Sequence, residues 1–441
     1  MDVPIVVNVE PNQPLFPPLP IVVTKERGAP GAALPIVVRT LPEQWSYAVL
    51  FRRRIDPVEP STPVVIRLTL TVKTGGVGVG VLNRNETDFI DEVFVDSTPA
   101  PVTAEVVIAH SGDAGSLIVR NVSPIGASEV TLLGLECIAL SAESSERAPG
   151  LADPRPSAHW SRYYGTGGDT IAEKIRVQDF CSLQAPEILR WADRLSMWIR
   201  PGDQLSRALY VSGTYEPNTL CVLRRLLRSG DTFIDVGANT GVISLVASTW
   251  VGPTGRVYSF EPSLREREQL RRNLELNATT NVTPFNLAVA ASSGTATLRV
   301  AAASHAGLNT IAGEFSYAGV ETDHLERVET VALDQFVDHQ HVPRIAAIKL
   351  DVEGAEGAVL HGAQHVLREH RPALVIEIFG RSLEAHGSSR EAVGQQLKAA
   401  DYRIYSIDDV DAQLHPIDAL TMVDEQNVVA LPAEECERLA V

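Results

Sequence analysis

A chain of 441 residues, 44% hydrophobic and 21% charged, with a mean hydropathy of +0.02, is long enough for two or three domains that each bury a core. This composition excludes a disulfide-stapled miniprotein and a disordered chain. With 38 Lys and Arg against 55 Asp and Glu, the formal charge is −17; such a surface repels phosphate backbones, and no nucleic-acid partner is expected.

The N-terminal stretch MDVPIVVNVEPNQ lacks the basic start and continuous apolar core of a secretory signal. The most apolar segment, Phe233 to Val251, is broken by Asp235 and Asn239, so no membrane span is predicted and a cytoplasmic location is expected. Cys137, Cys181, Cys221 and Cys436 form no C-x-x-C pair, which points to reduced thiols and to neither a zinc module nor a disulfide framework.

Residues 1–142 read as short β-branched runs between Pro, Gly and Ser clusters. Predicted strands are Ile5–Val9, Pro20–Thr24, Pro35–Thr40, Tyr47–Arg52, Val64–Lys73, Val77–Leu82, Phe89–Val95, Ala104–Ala109, Ser116–Val122 and Val130–Leu140. Pro-Ile-Val-Val recurs at Pro4, Pro20 and Pro35, where proline suits strand starts and edges. Gly75-Gly76 marks a hairpin turn. The expectation is an antiparallel, jelly-roll-like β-sandwich, serving carbohydrate recognition, homo-oligomer assembly or neither.

Residues 143–158 are rich in Ser, Pro and charge and read as a linker. Residues 159–205 read as a helical lead-in, with helices over Ile171–Val177 and Ala185–Trp198; in the second, Ile188, Leu189, Trp191, Leu195 and Trp198 have helix-like spacing. Trp160, Tyr163 and Tyr164 are taken as packing residues. Residues 206–435 form the second domain and 436–441 a tail. Its strands are Phe233–Val236, Arg256–Phe260, Val282–Ala288, Ala346–Leu350 and Ala373–Ile378, alternating with helices Ile243–Ser248, Leu264–Asn277, Ala355–Glu369 and Arg390–Ala400. That alternation predicts a doubly wound, mostly parallel sheet. Tyr402–Ile407 and Asn427–Leu431 complete seven strands, the last hairpin antiparallel.

In Thr232-Phe-Ile-Asp-Val-Gly-Ala-Asn-Thr-Gly-Val242, an apolar strand ends near Asp235, and Gly237 and Gly241 bracket a turn into a helix. Glycine there permits close approach of a ligand to the main chain. Glu261 ends the next strand, where a carboxylate reaches the two hydroxyls of a ribose. A dinucleotide site needs G-x-G-x-x-G, but Asn239 stands in place of the middle glycine and Asp235 precedes the loop. A carboxylate there suits the ammonium and sulfonium of S-adenosylmethionine better than a diphosphate, which disfavours an NAD-dependent dehydrogenase.

Phe233-Ile-Asp-Val-Gly-Ala-Asn-Thr-Gly241, Phe260-Glu-Pro262 and Ile348-Lys-Leu-Asp-Val-Glu-Gly-Ala-Glu356 resemble the signatures of FkbM-type S-adenosylmethionine-dependent methyltransferases. Tyr215-Glu-Pro217, Asn286-Leu-Ala-Val289 and Glu377 match as well, so the resemblance covers about residues 200 to 432. It implies a Rossmann-like class I methyltransferase fold that methylates hydroxyl oxygen on sugars or related natural products. It further implies a donor site of Tyr215, Glu216, Asp235, Gly237, Ala238, Asn239, Gly241, Glu261, Asn286 and Ala288. Within it, Gly237, Ala238 and Gly241 line the methionine part, Glu261 holds the ribose, and Asn286 or Ala288 lies near the adenine.

A hydroxyl acceptor needs alignment with the donor methyl and a group to take its proton. Strand alternation puts Lys349 and Asp351 on one side, and Asp351 and Glu377 at neighbouring strand ends. Three readings stay open: Asp351 as base or donor-orienting group, a Mg²⁺ site on Asp351 and Glu377, or a structural Lys349 pair. Glu353 and Glu356 read as favourable charges at a helix start. His361, His365 and His370 lack the accompanying glutamate of a zinc helix and read as a solvated face. His305 lies in a long polar segment that can close over an acceptor. The acceptor is expected to be a small molecule or glycan. The competing reading is a non-enzymatic glycan-binding scaffold with a degenerate second domain.

Overall fold

The computed structural model describes residues 8–9, 35–40, 47–52, 61–85, 87–124, 126–140, 171–191, 195–311, 315, 319–409, 411–423 and 426–439. The predicted strand Pro20–Thr24, most of Ile5–Val9, the linker and the Trp160, Tyr163 and Tyr164 group lie outside them. The chain divides into two units, one of Met1–Arg147 with Gly167–Ser182, the other of Ala148–Thr166 with Leu183–Val441.

The first unit holds β1 (Asn8–Val9), β2 (Ile36–Arg39), β3 (Tyr47–Arg52), β4 (Val64–Asn83), β5 (Phe89–Ile108), β6 (Ala114–Asn121), β7 (Glu129–Ala139) and α1 (Ile171–Ser182). All seven strands are linked in one antiparallel hydrogen-bonded network, in the order β1-β3-β6-β4-β7-β2, with β5 alongside β4. Each of β4 and β5 fuses two predicted strands, and β4 pairs with β7 along its first half and with β6 along its second.

Gly75-Gly76 is accordingly not a hairpin turn. The register shifts between Val72 and Gly76, which keeps Val64, Ile66, Leu68, Leu70 and Val72 in one apolar cluster with Val77, Val79 and Val81. A bulge of this kind restores the inward face after an odd step. Gly75 has φ +77°, and a Cβ there would meet Ser128 Oγ at 2.2 Å. The Ser128 hydroxyl accepts from Gly76 N at 2.9 Å and donates to Gly76 O at 2.8 Å, satisfying the backbone at the kink. The predicted helix at Ile171 exists, but α1 packs on this sheet: Gln178 accepts from Ala109 N at 2.7 Å and donates to Val107 O at 2.8 Å, covering a strand edge.

In the second unit, where a helix over 185–198 is predicted, β8 (Glu187–Trp191) and β9 (Leu195–Ile199) instead pair as antiparallel strands. Leu189, Trp191, Met197 and Ile199 are buried while Ile188 is 44% exposed, so a period of two prevails over the apparent helical spacing. Three polar side chains of a neighbouring helix complete β9: Asn277 and Asn273 accept from Ser196 N and Trp198 N, and Gln269 donates to Trp198 O.

Next come α2 (Gln204–Ser212), α3 (Pro217–Leu226), β10 (Thr232–Val236), α4 (Val242–Val251), β11 (Arg256–Phe260), α5 (Leu264–Leu276), β12 (Val282–Phe285), β13 (Ala288–Val289), β14 (Gly294–Ala301), β15 (Thr322–Val331) and α6 (Leu333–Gln340). The rest is β16 (Ile345–Leu350), α7 (Glu356–His361), α8 (Gln364–Glu369), β17 (Ala373–Ile378), α9 (Gly380–Ala385), α10 (Arg390–Ala399), β18 (Tyr402–Ile407), β19 (Leu414–Ile417), β20 (Gln426–Pro432) and α11 (Ala433–Leu439). The main sheet runs β12-β11-β10-β16-β17-β20-β18-β19. Its first five members are parallel, and β20, β18 and β19 are antiparallel to their neighbours.

Seven strands were expected; β19 is the eighth, a four-residue edge strand in which His415 and Pro416 interrupt the apolar pattern. This Rossmann-like order reverses direction of growth at β10 and β16, which opens a crevice beyond their carboxyl ends. The strands are apolar on both sides because helices cover both faces: Phe233, Ile234, Val236, Ile348, Leu350, Leu374 and Ile376 are at most 1% exposed. The predicted helix Ala355–Glu369 is broken at Gly362, where a Cβ would lie 2.3 Å from Ala290 O. No helix among the described residues is long and apolar enough to cross a membrane.

Candidate active site

A cavity of about 710 Å³ opens at the carboxyl ends of β10, β11, β16 and β17. Of the eight non-glycine residues with positive φ among the described residues, three line it: Glu216 at 44°, Asn239 at 48° and Glu353 at 51°. Each costs roughly 1–2 kcal/mol in that conformation, and strain of this kind gathers where a particular side-chain direction is required.

One end is built on the β10–α4 turn. Gly237 N and Ala238 N both bond to Phe260 O, at 3.0 and 2.9 Å, which folds the loop against β11. Gly237, at φ +83°, sits so close to β16 that a Cβ would lie 1.8 Å from Asp351 O. Gly241 is different: it does not line the cavity, and its left-handed conformation packs it under Leu270 at the start of α4. Asp235 is 1% exposed. Its Oδ2 accepts from Ser244 Oγ at 2.5 Å, whereas its Oδ1 has no hydrogen-bond partner, as is also true of Asn239 Oδ1. Burial pushes the Asp235 carboxyl up to about 6, against the opposing pull of Lys349 and Ser244.

Glu261 accepts from Asn239 N and Ser263 N, both at 2.9 Å, one on each oxygen. Burial, reinforced by Glu266, pushes it up to about 8. Ala288 lines the cavity, with Leu287 and Val289 beside it. Asn286, which the resemblance implies near the adenine, does not line it; its side chain accepts from Arg267. The 303–311 segment contributes His305, Gly307, Leu308 and Asn309. It is held by Asn309, which donates to Glu266 at 3.0 Å, and by Thr310, which donates to Glu353 O at 3.2 Å and contacts His386 Nε2 at 3.1 Å.

The other end gathers carboxylates. Asp351, Glu353 and Glu377 place oxygens within 4.8 Å of one another. Lys349, buried beneath them, donates to Asp351 Oδ2 at 2.6 Å and lies 3.7 Å from Glu216 Oε1. Burial opposes its charge, but Asp351, Glu216 and Asp235 outweigh this and raise its pKa, which favours its charged form. Glu377 and Glu353 are raised well above the usual carboxylate range by burial and then by Asp351. Glu353 therefore belongs to the cavity, not to a helix start. Only Glu356 begins α7, and it accepts from Val352 N at 3.1 Å and Gly354 N at 3.2 Å, bracing the loop.

The structure thus brings together Tyr215, Glu216, Asp235, Gly237, Ala238, Asn239, Glu261, Ala288, His305, Lys349, Asp351 and Glu377 around one cavity. Sequence reasoning missed Glu353 and the β20 pair Gln426 and Asn427, which also line it. Glu353 precedes Gly354 in a strand-to-helix loop, a signal that could have found it; nothing local marks Asn427.

Residues 235–404 match the family model of the methyltransferase FkbM domain. This part of the chain is an FkbM methyltransferase domain. The chain is 28% identical over 208 residues to the hexuronic acid methyltransferase AglP of Haloferax volcanii, covering 45% of this chain and 80% of that protein. Among solved structures, the methyltransferase FkbM from Methylobacillus flagellatus is 13% identical, covers 62% of this chain and 58% of its own, and has a TM-score of 0.29. A fibrillarin of Aeropyrum pernix with bound S-adenosylmethionine is 15% identical, covers 48% and 73%, and has a TM-score of 0.28. The FkbM domain is that of an S-adenosylmethionine-dependent methyltransferase. Asp235 Oδ1 and Asn239 Oδ1 are buried acceptors without donors, suited to an ammonium. Glu261 has lone pairs to spare for two ribose hydroxyls.

Proposed function

We propose that the protein is an O-methyltransferase acting on a hydroxyl of a sugar, glycan or glycosylated natural product in the cytoplasm. The observation that carries this reading is the pair of ends of one cavity, a donor site on Gly237, Asp235 and Glu261 and a carboxylate cluster at Asp351. S-adenosylmethionine supplies a methyl group on a cationic sulfur that leaves as a neutral thioether. Asp351 accepts the proton of the acceptor hydroxyl as the new C–O bond forms. Lys349 fixes that carboxylate by its 2.6 Å bond and is a positioning residue. His305, on the facing segment, contacts the acceptor. The name of the AglP relative supports a carbohydrate acceptor, and the N-terminal unit is assigned to holding it or pairing subunits.

Calorimetry with S-adenosylhomocysteine tests the donor site. Binding is expected, with at least a tenfold loss in Asp235→Ala and Glu261→Ala; absence of binding defeats the proposal and returns the chain to a non-enzymatic scaffold. Asp351→Asn should keep that binding and lose turnover by roughly 10²–10⁴-fold, the span of general-base catalysis. A second reading has one observation behind it, the three oxygen ligands of Asp351, Glu353 and Glu377, which suit a hard cation such as Mg²⁺. Turnover that disappears with EDTA and returns with Mg²⁺ selects it.

A further inference from the structure

We infer that Glu266 is a positioning residue of this site: it ties the 303–311 wall of the cavity to Glu261, so that one buried side chain sets the ribose carboxylate and the wall together. The inference rests on the donor-site reading of Glu261 and adds to it a residue that does not itself line the cavity. The helix α5 is introduced by Ser263-Leu-Arg-Glu266, the spacing of a capping box, in which the serine side chain accepts from the third helical N–H and the glutamate accepts from the serine N–H. Here the bonds are rerouted. Ser263 makes no side-chain cap bond; its hydroxyl donates to Glu266, and its N–H goes at 2.9 Å to Glu261. The next N–H, that of Leu264, goes at 3.0 Å to Glu326 on β15. The helix start therefore gives its first donor to a carboxylate that lines the cavity, and Glu266 is left to bond elsewhere.

Glu266 is 0% exposed, and burying a carboxylate is costly unless it is paired and hydrogen-bonded. Both of its oxygens are so held. One takes Arg265 Nε at 2.6 Å with Arg200 at 3.8 Å; the other takes Asn309 Nδ2 at 3.0 Å beside the Ser263 hydroxyl. Asn309 in turn accepts from Ala301 N at 2.9 Å, and Arg265 donates to Ala301 O at 2.9 Å, which closes a ring on the end of β14. Only three hydrogen bonds, Glu261 to Ser263, Ser263 to Glu266 and Glu266 to Asn309, separate the ribose carboxylate from the wall. A helix cap needs none of this, because the serine alone can serve it. Charged neighbours of the pair are Arg267 beside Glu261, Arg265 and Arg200 beside Glu266, Asp203 next to Arg200, Asp323 next to Arg265, and Glu326 at Leu264 N. His305 is the titratable side chain of the wall itself. After burial, Glu266 is the largest influence that raises Glu261.

The test uses the full chain. Hydrogen exchange read by mass spectrometry follows residues 303–311 in the free protein, and calorimetry follows S-adenosylhomocysteine binding between pH 6 and pH 9. Glu266→Gln keeps the shape and removes the charge, while Asn309→Ala removes only the wall's end of the chain of bonds. Both should speed exchange in 303–311 at least about fivefold, the worth of one hydrogen bond. Glu266→Gln should also move the midpoint of the binding profile to lower pH by at least about half a unit, because a like charge beside Glu261 is gone; Asn309→Ala should leave that midpoint in place. A glutamate that only caps α5 would loosen residues 264–268 and change neither quantity. Exchange in 303–311 that rises less than this in either variant, or a midpoint that does not fall in Glu266→Gln, overturns the inference. Should Glu266→Gln fail to fold, exchange in Asn309→Ala decides by the same criterion. Binding by the parent is measured first: its absence defeats the donor reading of Glu261, and exchange on the free proteins still decides the tether.

Discussion

Gly237 and Gly241 form a controlled pair, because both are left-handed, at φ +83° and +88°, and a Cβ at each would clash, yet with different atoms. At Gly237 the obstacle is backbone: Asp351 O at 1.8 Å and its carbonyl carbon at 2.9 Å. Relief requires β10 and β16 to part by more than an ångström, which breaks the 3.0 Å bond from Asp351 N to Val236 O. The left-handed penalty of roughly 1–2 kcal/mol, a lost hydrogen bond of about 1 kcal/mol and overpacking of about 1–3 kcal/mol add to about 3–6 kcal/mol for Gly237→Ala. At Gly241 the obstacle is the end of a side chain, Leu270 Cδ1 at 2.2 Å, which a rotamer change removes at about 1 kcal/mol. Gly241→Ala should therefore cost only about 2–3 kcal/mol. Gly237→Ala also drags Asp351 and the donor loop, so its affinity for S-adenosylhomocysteine should fall at least 100-fold, against less than tenfold for Gly241→Ala. Denaturant titration and calorimetry give both quantities. Equal losses in the two variants, or a Gly237→Ala protein that binds within threefold of the parent, would refute the steric account of this turn.

Two further outcomes follow from the buried carboxyls. Glu261, pushed up to about 8 by burial and Glu266, is protonated in the free protein at pH 6, while ribose hydroxyls favour its charged form. Donor binding should tighten by up to about tenfold per pH unit between 6 and 8 and release a proton, read by calorimetry in buffers of different ionisation enthalpy; Glu261→Gln should flatten the profile. For the free protein, Glu261 at about 8, Glu356 at about 7 and Asp235 at about 6 all lie above their unfolded values. Folding then binds extra protons, so this stability is present below about pH 4 and lost as pH rises through 8. The unfolding temperature of the second unit should fall from pH 5 to pH 8, and the rise produced by S-adenosylhomocysteine should grow over the same interval.

One wall of the cavity was legible because its residues are local in the sequence. Asp235, Gly237, Ala238 and Asn239 are consecutive or nearly so, and Glu261 ends the next strand, so pattern and connectivity place them without tertiary detail. The strands of the parallel sheet were legible for a related reason: buried on both sides, they stand out as short apolar runs, and Arg256–Phe260, Ala373–Ile378 and Tyr402–Ile407 have the predicted bounds. The strand pair Glu187–Trp191 and Leu195–Ile199 was not, since Ile188, Leu189 and Trp191 satisfy periods of both 3.6 and 2 over so short a span, and the deciding partners, Asn273 and Asn277, lie some 80 residues away. Gly241 and Asn286 belong to the motif, yet their surroundings, Leu270 and Arg267, assign them to packing and loop anchoring. Asn427 reaches the site only because β20 inserts between β17 and β18, an order that no local signal encodes.

Lys349 is where these elements converge, and it separates a structural ion pair from a positioning device. Its ammonium is 3% exposed and neighbours Asp351 at 2.6 Å and Glu216 at 3.7 Å, with Asp235 opposite it across the β10–β16 pair. Lys349→Met leaves these acids without their cation, and breaking a buried pair by removing one partner costs about 3–5 kcal/mol. Adding Glu216→Gln to that variant removes one of the stranded charges, so the double variant should regain at least about 1 kcal/mol over Lys349→Met alone. Stability depends on how many charges remain unpaired, whereas turnover depends on where Asp351 points. The double variant should therefore recover stability without recovering turnover, because nothing replaces the 2.6 Å tether on Asp351. Denaturant midpoints and S-adenosylhomocysteine release, measured on the parent, Lys349→Met and the double variant, read the two separately. Recovery of both together would mean that Lys349 only balances charge.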